Sequence, residues 1–169
     1  GGFGLINKDG LKKPSYYAYY LLSKLGNEII EQGEDYIITR SGEDIQILAY
    51  NYAYFDDLFL LGDTSHINHR ERYLIYENKG IREMEFKING IVGDYKITNY
   101  KLNRESGSVF DTWIKMGMPE NMSVEEIEYL KGKAKPEMAV EYVKLKGEYR
   151  YVFQVPVHGV EMLILEKRM

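Results

Sequence analysis

The chain has 169 residues, no cysteine and a formal net charge of −4, with acidic and basic side chains intermixed. The lack of cysteine excludes disulfides and thiolate sites, and the lack of clustered Lys and Arg argues against a nucleic-acid partner. No apolar run approaches the roughly 18 to 20 residues that cross a bilayer, so we expect no membrane partner and a soluble, cytoplasmic protein. The chain begins with Gly, and we interpret it as part of a longer protein in which a secretion signal could precede it.

The first 26 residues read as a strand, a turn and a helix. GGFGLIN at 1–7 is a short apolar strand, Asp9-Gly10 is a turn, and Pro14 is the first residue of a helix, where proline costs no hydrogen bond. Apolar side chains occupy nearly every face of this helix, which is typical of a buried helix. Gly26 is predicted to end it in the left-handed conformation. Such a unit is half of a parallel βαβ arrangement, yet no neighbouring parallel strands follow.

From Asn27 onward, two-residue periodicity and frequent turn signals predict short strands. The predicted strands are Tyr36 to Thr39, Asp44 to Tyr50, Tyr73 to Tyr76, Met84 to Ile88, Tyr95 to Leu102, Val140 to Leu145, Arg150 to Val155 and Val160 to Glu166. Ser41-Gly42 joins the first two strands as a hairpin. Asn89-Gly90 or the following Val92-Gly93-Asp94 is predicted to be a second hairpin turn.

Two short helices interrupt these strands. Ser108 is predicted to cap a helix that carries Phe110 and Trp113 and stops at Gly117. Ser123 and the glutamate three residues later have the form of a capping box for the second helix. We therefore predict a mainly β fold, an antiparallel β-sandwich with an N-terminal helix and two short inserted helices.

Several motifs carry a family resemblance. Residues 1–26, AYNY at 49–52, FDTWIKMGMP at 110–119 and VPVHGV at 155–160 resemble, in order and spacing, the C-terminal region of family 39 glycoside hydrolases, the β-xylosidases. The resemblance implies that residues 1–26 are the final strand-helix unit of a (β/α)8 barrel whose remainder is absent. It also implies that residues 27–169 are a C-terminal β-sandwich accessory domain.

The same resemblance implies a function for the parent protein. The parent would be a retaining β-xylosidase of xylan degradation that releases xylose from xylo-oligosaccharides through a glycosyl-enzyme intermediate. Its catalytic glutamates lie on earlier barrel strands, so this chain alone has no catalytic residue and is expected to be inactive. Its partner would be the barrel of the same polypeptide, and the loop Asn7 to Gly10 would at most edge the sugar pocket. A homo-oligomer is a further expectation.

Two alternatives stay open. An α-L-iduronidase-like glycosidase shares this architecture, and its sugar specificity lies in the missing strands and loops. A stand-alone carbohydrate-binding β-sandwich would instead use exposed aromatic rings.

The chain's own acidic residues and histidines give weak signals for a site. Asp56-Asp57 and Glu125-Glu126 are adjacent, whereas a retaining glycosidase needs two carboxyl groups facing each other roughly 5 Å apart, so we interpret both pairs as solvated charges. His66 and His69 could supply two metal ligands, but no third or fourth ligand accompanies them, and we expect no metal and no cofactor. His158 is interpreted as a hydrogen-bonded turn histidine rather than a catalytic base.

Tyr52 and Tyr54 are the substrate-binding candidates. Together with Tyr50 they recur at every second position, which predicts that they share one face of a sheet. Tyrosine rings there could stack on sugars, but packing against the barrel or an opposing sheet explains the pattern better. Trp113, the one tryptophan, is interpreted as a core residue of its helix.

Overall fold

The computed structural model describes residues 4–65, 67–68 and 70–168. These residues form a six-stranded antiparallel sheet with the strand order β1-β2-β3-β6-β4-β5. The strands are β1 (Glu28–Gln32), β2 (Tyr36–Ser41), β3 (Asp44–Tyr50), β4 (Arg82–Leu102), β5 (Glu137–Val155) and β6 (Val160–Lys167). The helices are α1 (Pro14–Leu22), α2 (Asp57–Leu60), α3 (Phe110–Lys115) and α4 (Val124–Lys133), with a 3-10 helix at Arg72–Ile75. The predicted mainly β class is confirmed, as are the N-terminal helix and the two inserted helices.

The sheet folds back across itself at the middle of β4 and β5. From Tyr95 onward, β4 pairs with both β5 and β6, whereas its first half pairs with β5 alone. A bulge between Asn89 and Ile91 marks the bend, and Gly147 lies opposite it with a φ of 126°. The rings of Tyr36 in β2 and Phe86 in β4 lie 5.0 Å apart, although β3 and β6 separate these strands in the sheet. The two layers are therefore halves of one bent sheet that pack face to face.

Two hydrophobic cores follow from this bend. The first lies between the two halves of the sheet and contains the fully buried side chains of Ile47, Phe153, Leu163 and Leu165. The second lies on the outer face of the central strands, where Leu21 of α1 packs on Leu48, Leu102 and Met162. The helix is thus a third layer. None of the helices in the part of the chain that the structure describes is long and apolar enough to cross a membrane.

The predicted turn at Asn89-Gly90 or Val92-Gly93-Asp94 is wrong, because β4 runs through both positions as one strand of 21 residues. Gly90 adopts the left-handed conformation that a hairpin turn would use, but here it forms the bulge. The two strands predicted within 140–155 are likewise one strand, β5. The strand predicted at Tyr73 to Tyr76 is wrong, since a 3-10 helix occupies that position. β1 was not predicted.

The N-terminal prediction is confirmed only in part. Residues 1–3 of the predicted strand lie outside the described residues, and Ile6 forms a single bridge with Lys12 rather than a strand. A parallel strand requires neighbouring strands, and the described chain offers none at this position. Helix α1 begins at Pro14 as predicted but ends at Leu22.

Gly26 has a different role from the predicted helix cap. A Cβ at this position would lie 2.3 Å from the Arg40 carbonyl oxygen. Glycine is therefore required because the backbone of β2 approaches closely, not because the residue needs a positive φ.

Of the caps predicted for the two inserted helices, one is confirmed and one is wrong. The capping box of α4 is confirmed, with hydrogen bonds between Ser123 and Glu126 in both directions. The predicted Ser108 cap is wrong, since α3 begins at Phe110 and its first turn has no side-chain cap. Gly117 follows α3 with a φ of 87°, as expected of a residue that ends a helix.

Candidate functional site

An aromatic cluster lies at one end of the sheet, where β3 ends and β6 begins. The rings of Tyr52 and Tyr54 meet edge to face with centroids 5.0 Å apart. His158 lies 6.0 Å from Tyr52 and 4.3 Å from Tyr76, and Tyr76 stacks on Phe55 at 5.2 Å. We call these five residues the aromatic cluster. It brings together the loop after β3, the residue after the 3-10 helix and the turn before β6.

Asn51 holds these segments in place. Its side chain is only 5% exposed, and its amide Nδ2 donates to the carbonyl oxygens of Gly80 and Val155, each at 2.9 Å. Its backbone N–H donates to the Gly159 carbonyl at 3.1 Å, and its own carbonyl accepts the His158 N–H at 2.7 Å. This buried residue therefore joins the loop after β3 to the end of β5, the turn before β6 and the segment before β4.

His158 lies in a strained turn and its ring is only partly satisfied. Its φ is 58°, which is uncommon for a residue other than glycine, and the backbone bond to Asn51 holds it there. The turn histidine is hydrogen-bonded through its backbone, but its ring Nε2 is buried without a hydrogen-bond partner. Burial lowers the pKa of the ring below its ordinary value, so the neutral form is favoured.

The lowered pKa of His158 predicts a pH dependence of stability. In the unfolded chain the ring takes up a proton near pH 6.5, whereas the folded ring resists protonation. The unfolded state therefore binds more protons below that pH, and stability falls as the pH falls. Asparagine tolerates a positive φ and does not titrate in this range. We therefore expect the His158→Asn variant to lose less stability between pH 7 and pH 5 than the unsubstituted 169-residue chain, as measured by urea titrations. Equal losses in the two proteins would contradict this.

Two cavities open beside His158. The larger has a volume of 790 Å³ and lies between α1, the 3-10 helix and the segment after β4. The smaller, of 560 Å³, lies between α1, β2 and the loop after β3. Ala18, His158 and Val160 line both. In the larger cavity the charge of Arg104 is matched by Asp111, which accepts two hydrogen bonds from the guanidinium at 2.5 and 2.7 Å and has its pKa lowered by them.

The substrate-binding candidates are exposed but are not on a sheet face. β3 ends at Tyr50, whose hydroxyl donates to the Glu34 carbonyl, so Tyr52 and Tyr54 lie in a loop and the prediction of a shared sheet face is wrong. Both rings are more than half exposed. Lys79 fixes this loop, since its Nζ lies 5.3 Å from the Tyr54 ring and donates to the Tyr52 carbonyl at 3.2 Å.

The adjacent carboxylates have structural roles. Asp56 caps α2 by accepting the Phe59 N–H, and Asp57 lies in the first turn of that helix. Glu126 accepts the Ser123 backbone N–H at 2.6 Å, and this bond lowers the pKa of its carboxyl.

The remaining predicted site residues are two histidines, the loop Asn7 to Gly10 and Trp113. His66 and His69 lie outside the described residues. Within 4–65, 67–68 and 70–168, no group of three or more His, Cys, Asp or Glu side chains could hold a metal ion. In the loop Asn7 to Gly10, Asn7 Oδ1 accepts the N–H groups of Asp9 and Leu11. Trp113 is half-buried and donates to the Pro119 carbonyl.

Sequence reasoning missed two members of this site. Tyr76 was predicted to lie in a strand, and no local pattern indicates that it stacks on Phe55 and contacts His158. Asn51 was noticed only as part of AYNY at 49–52. Its partners lie 29 and 104 residues away, so no local pattern could identify its role.

The curated relatives of this chain are of two kinds. Among curated relatives, a β-xylosidase from Caldicellulosiruptor saccharolyticus is 28% identical over 138 residues, which are 77% of this chain and 24% of that protein. Uncharacterized HTH-type transcriptional regulators from Staphylococcus aureus are 24% identical over 157 residues, 92% of this chain and 20% of the regulator.

Solved structures show the same fold. A monomeric β-xylosidase from Caulobacter crescentus CB15 matches with a TM-score of 0.78 and 23% identity, over 100% of this chain and 34% of that one. The GH39 enzyme from Xanthomonas axonopodis pv. citri matches with a TM-score of 0.79 and 19% identity, over 99% of this chain and 33% of that one. The chain thus spans about a third of these neighbours. The sequence model of glycosyl hydrolases family 39 matches residues 1–149, and the chain therefore belongs to that family.

Proposed function

We propose that this chain is the non-catalytic C-terminal region of a retaining β-xylosidase and that it supports the catalytic barrel of the same polypeptide. In this proposal residues 1–26 are the last unit of the barrel and residues 27–169 are the accessory domain. The observation that carries it is that α1 has apolar side chains both on its buried side and on its exposed side. Leu21 on one side packs into the outer core of the sheet, whereas Tyr19, Tyr20 and Leu22 on the other side are exposed.

A helix with apolar residues on both sides is expected to lie between two layers. The described chain supplies only one of these layers, the sheet. A barrel supplies the other, because the helices of a (β/α)8 barrel pack on its strands. The family match and the one-third coverage of the solved neighbours support a catalytic barrel as that second layer.

The acidic residues support the non-catalytic part of the proposal. Retaining hydrolysis uses two carboxyl groups roughly 5 Å apart, one as nucleophile and one as acid and base. In this chain the carboxylates of Asp111, Glu126 and Glu28 are held by hydrogen bonds to Arg104, Ser123 and Arg40. The reacting pair is therefore assigned to the barrel.

The test is a charge placed on the exposed face of α1 in the parent enzyme. Leu22, which is 45% exposed here, would be buried against the barrel, so Leu22→Glu is expected to destabilise the parent by about 3 kcal/mol. The matched control is Leu61→Glu, at a leucine that is 84% exposed. In the 169-residue chain alone, neither substitution should matter. Thermal unfolding and xylosidase assays on the parent check both, and equal effects of the two substitutions there would refute the packing.

The Staphylococcus aureus relatives favour a second candidate, in which the domain belongs to a transcriptional regulator. The burial of α1 is the same in both cases, so the packing test does not separate them. The coding sequence upstream of Gly1 does. Roughly 300 residues with glutamates at the ends of two barrel strands support the enzyme, and a helix-turn-helix segment supports the regulator.

A sugar contact at Tyr52 and Tyr54 has its own test. Both rings are accessible for stacking on a pyranose. Calorimetric titration of the chain with xylo-oligosaccharide, compared with Tyr52→Ala and Tyr54→Ala, measures it directly, and the absence of heat in the unsubstituted chain would dismiss the contact.

A further inference from the structure

β5 is an unpaired edge of the sheet along its whole length. All 19 of its residues follow β4 on one side, from Glu137 opposite Lys101 to Val155 opposite Arg82. Within the described part of the chain, no strand pairs with its other side. The side chains of Met138, Val140, Tyr142 and Val152 are exposed, and Tyr142 is the most exposed of them at 64%. An open edge with apolar side chains is a template for another strand.

The sequence of β5 is complementary to itself in one antiparallel register. The middle residue of the strand is Lys146, and pairing two copies about this residue places Lys144 opposite Glu148 of the second copy. In the same register Tyr142 faces Arg150, and an aromatic ring opposite a guanidinium is a favourable cation–π pair. Further along, Val140 faces Val152 and Met138 faces Gln154. A two-fold axis repeats each of these contacts, as in an isologous dimer.

The neighbouring registers bring like charges or opposite faces of the strands together. Side chains alternate between the two faces of a strand. A slip by one residue would therefore place the exposed side chains of one copy on the same face as the buried side chains of the other. A slip by two residues in one direction places Lys144 opposite Lys146, and in the other direction places Lys144 opposite Arg150. Like charges directly opposite each other destabilise a strand pair. In the register centred on Lys146, the central lysine pair itself is the one like-charge contact on this face.

The bend of the sheet fits this two-fold axis. Gly147, where β5 bends, is next to Lys146, so each half of the strand leaves the axis at a similar angle. A two-fold rotation about an axis perpendicular to the sheet at Lys146 places the first half of β5 in one copy beside the second half of β5 in the other. The same rotation leaves both sheets bent in the same direction. The two edges can therefore remain in contact along all 19 residues, a length of roughly 60 Å.

We propose that this chain forms a two-fold dimer through antiparallel pairing of β5 with β5 of a second copy, in the register centred on Lys146. The neighbour from Caulobacter crescentus CB15 is monomeric, so the contact is assigned to this chain's own edge residues and not to the fold. Glu148 already pairs with Lys87 at 3.0 Å and with Arg150 at 3.5 Å within its own sheet, and Lys144 of the second copy would add a third cation to this carboxylate.

The test is charge exchange between two variants. In Lys144→Glu the contact becomes Glu opposite Glu, and in Glu148→Lys it becomes Lys opposite Lys, so each variant alone should dimerise at least about tenfold more weakly. When the two variants are mixed, both contacts regain opposite charges, and a heterodimer should form with an affinity near that of the unsubstituted chain. Sedimentation equilibrium on each protein and on the equimolar mixture measures this.

The controls separate this contact from others. Circular dichroism establishes that each variant is folded, and Lys146→Thr, which removes the like-charge pair on the axis, should tighten the dimer. A chain that stays monomeric at about 100 μM overturns the proposal, as does a mixture that associates no better than its components. Association that responds to Leu22→Glu but not to the charge variants would assign the contact to α1 and would also overturn it.

Discussion

Replacing Phe153 by alanine is expected to lower the free energy of unfolding by about 3 to 5 kcal/mol. The Phe153 side chain is fully buried, and its ring lies 5.3 Å from Phe86 and 4.8 Å from Tyr151. These three rings belong to the half of the β4–β5 pair that folds back across the sheet. The substitution removes the ring from the core between the two halves, and the surrounding strands are held by their ladders and cannot collapse into the space.

Urea unfolding of the 169-residue chain at 25 °C measures this loss. The control is Leu61→Ala, which removes a comparable apolar side chain from a position that is 84% exposed, and its cost should stay below about 0.5 kcal/mol. A similar loss for the two variants would mean that the folded-back half does not form the main core.

Asn51→Ala is expected to cost about 2 to 4 kcal/mol, although it deletes only a small polar side chain. The change leaves the carbonyls of Gly80 and Val155 without the Asn51 donor, and Val155 is buried. The aromatic cluster should also loosen, because the lost bond to the Val155 carbonyl anchors the loop that holds Tyr52 to the end of β5, just before the turn that holds His158. Chemical denaturation gives the energy, and the near-ultraviolet circular dichroism of the tyrosines reports the loosening.

Asn27→Ala, at an exposed asparagine, is the matched control and should be close to neutral. A near-neutral Asn51→Ala would show that the two carbonyls find other donors. Asn51→Asp adds a further check, since a carboxylate cannot donate to either carbonyl and should be at least as harmful as alanine.

Local chemistry was predictable from the sequence, and long-range pairing was not. The capping box of Ser123 and Glu126 depends on residues three apart, and it was predicted correctly. Asn89-Gly90 has the composition of a hairpin turn, but the partner strand decides whether such a pair turns the chain or forms a bulge. Here β5 continues past the bend, so the same dipeptide bends a strand instead of ending it.

The same limit applies to the candidate site. The rings of Tyr52 and Tyr54 are in contact, but their period-two spacing was taken for a strand that in fact ends at Tyr50. Gly26 was recognised as a necessary glycine for the wrong reason, since the obstacle is the Arg40 carbonyl of another element. Such contacts depend on the tertiary structure, which a single sequence does not reveal.

The position of β6 has a consequence for how the chain folds. β1 to β3 form one antiparallel run and β4 with β5 form another, and β6 lies between β3 and β4 as the strand that joins them. During synthesis the two runs therefore share no backbone ladder until the last of the six strands has left the ribosome. Until then the core between the two runs lacks the buried side chains of Leu163 and Leu165, and nascent chains are most exposed to misassociation and to chaperones at that stage.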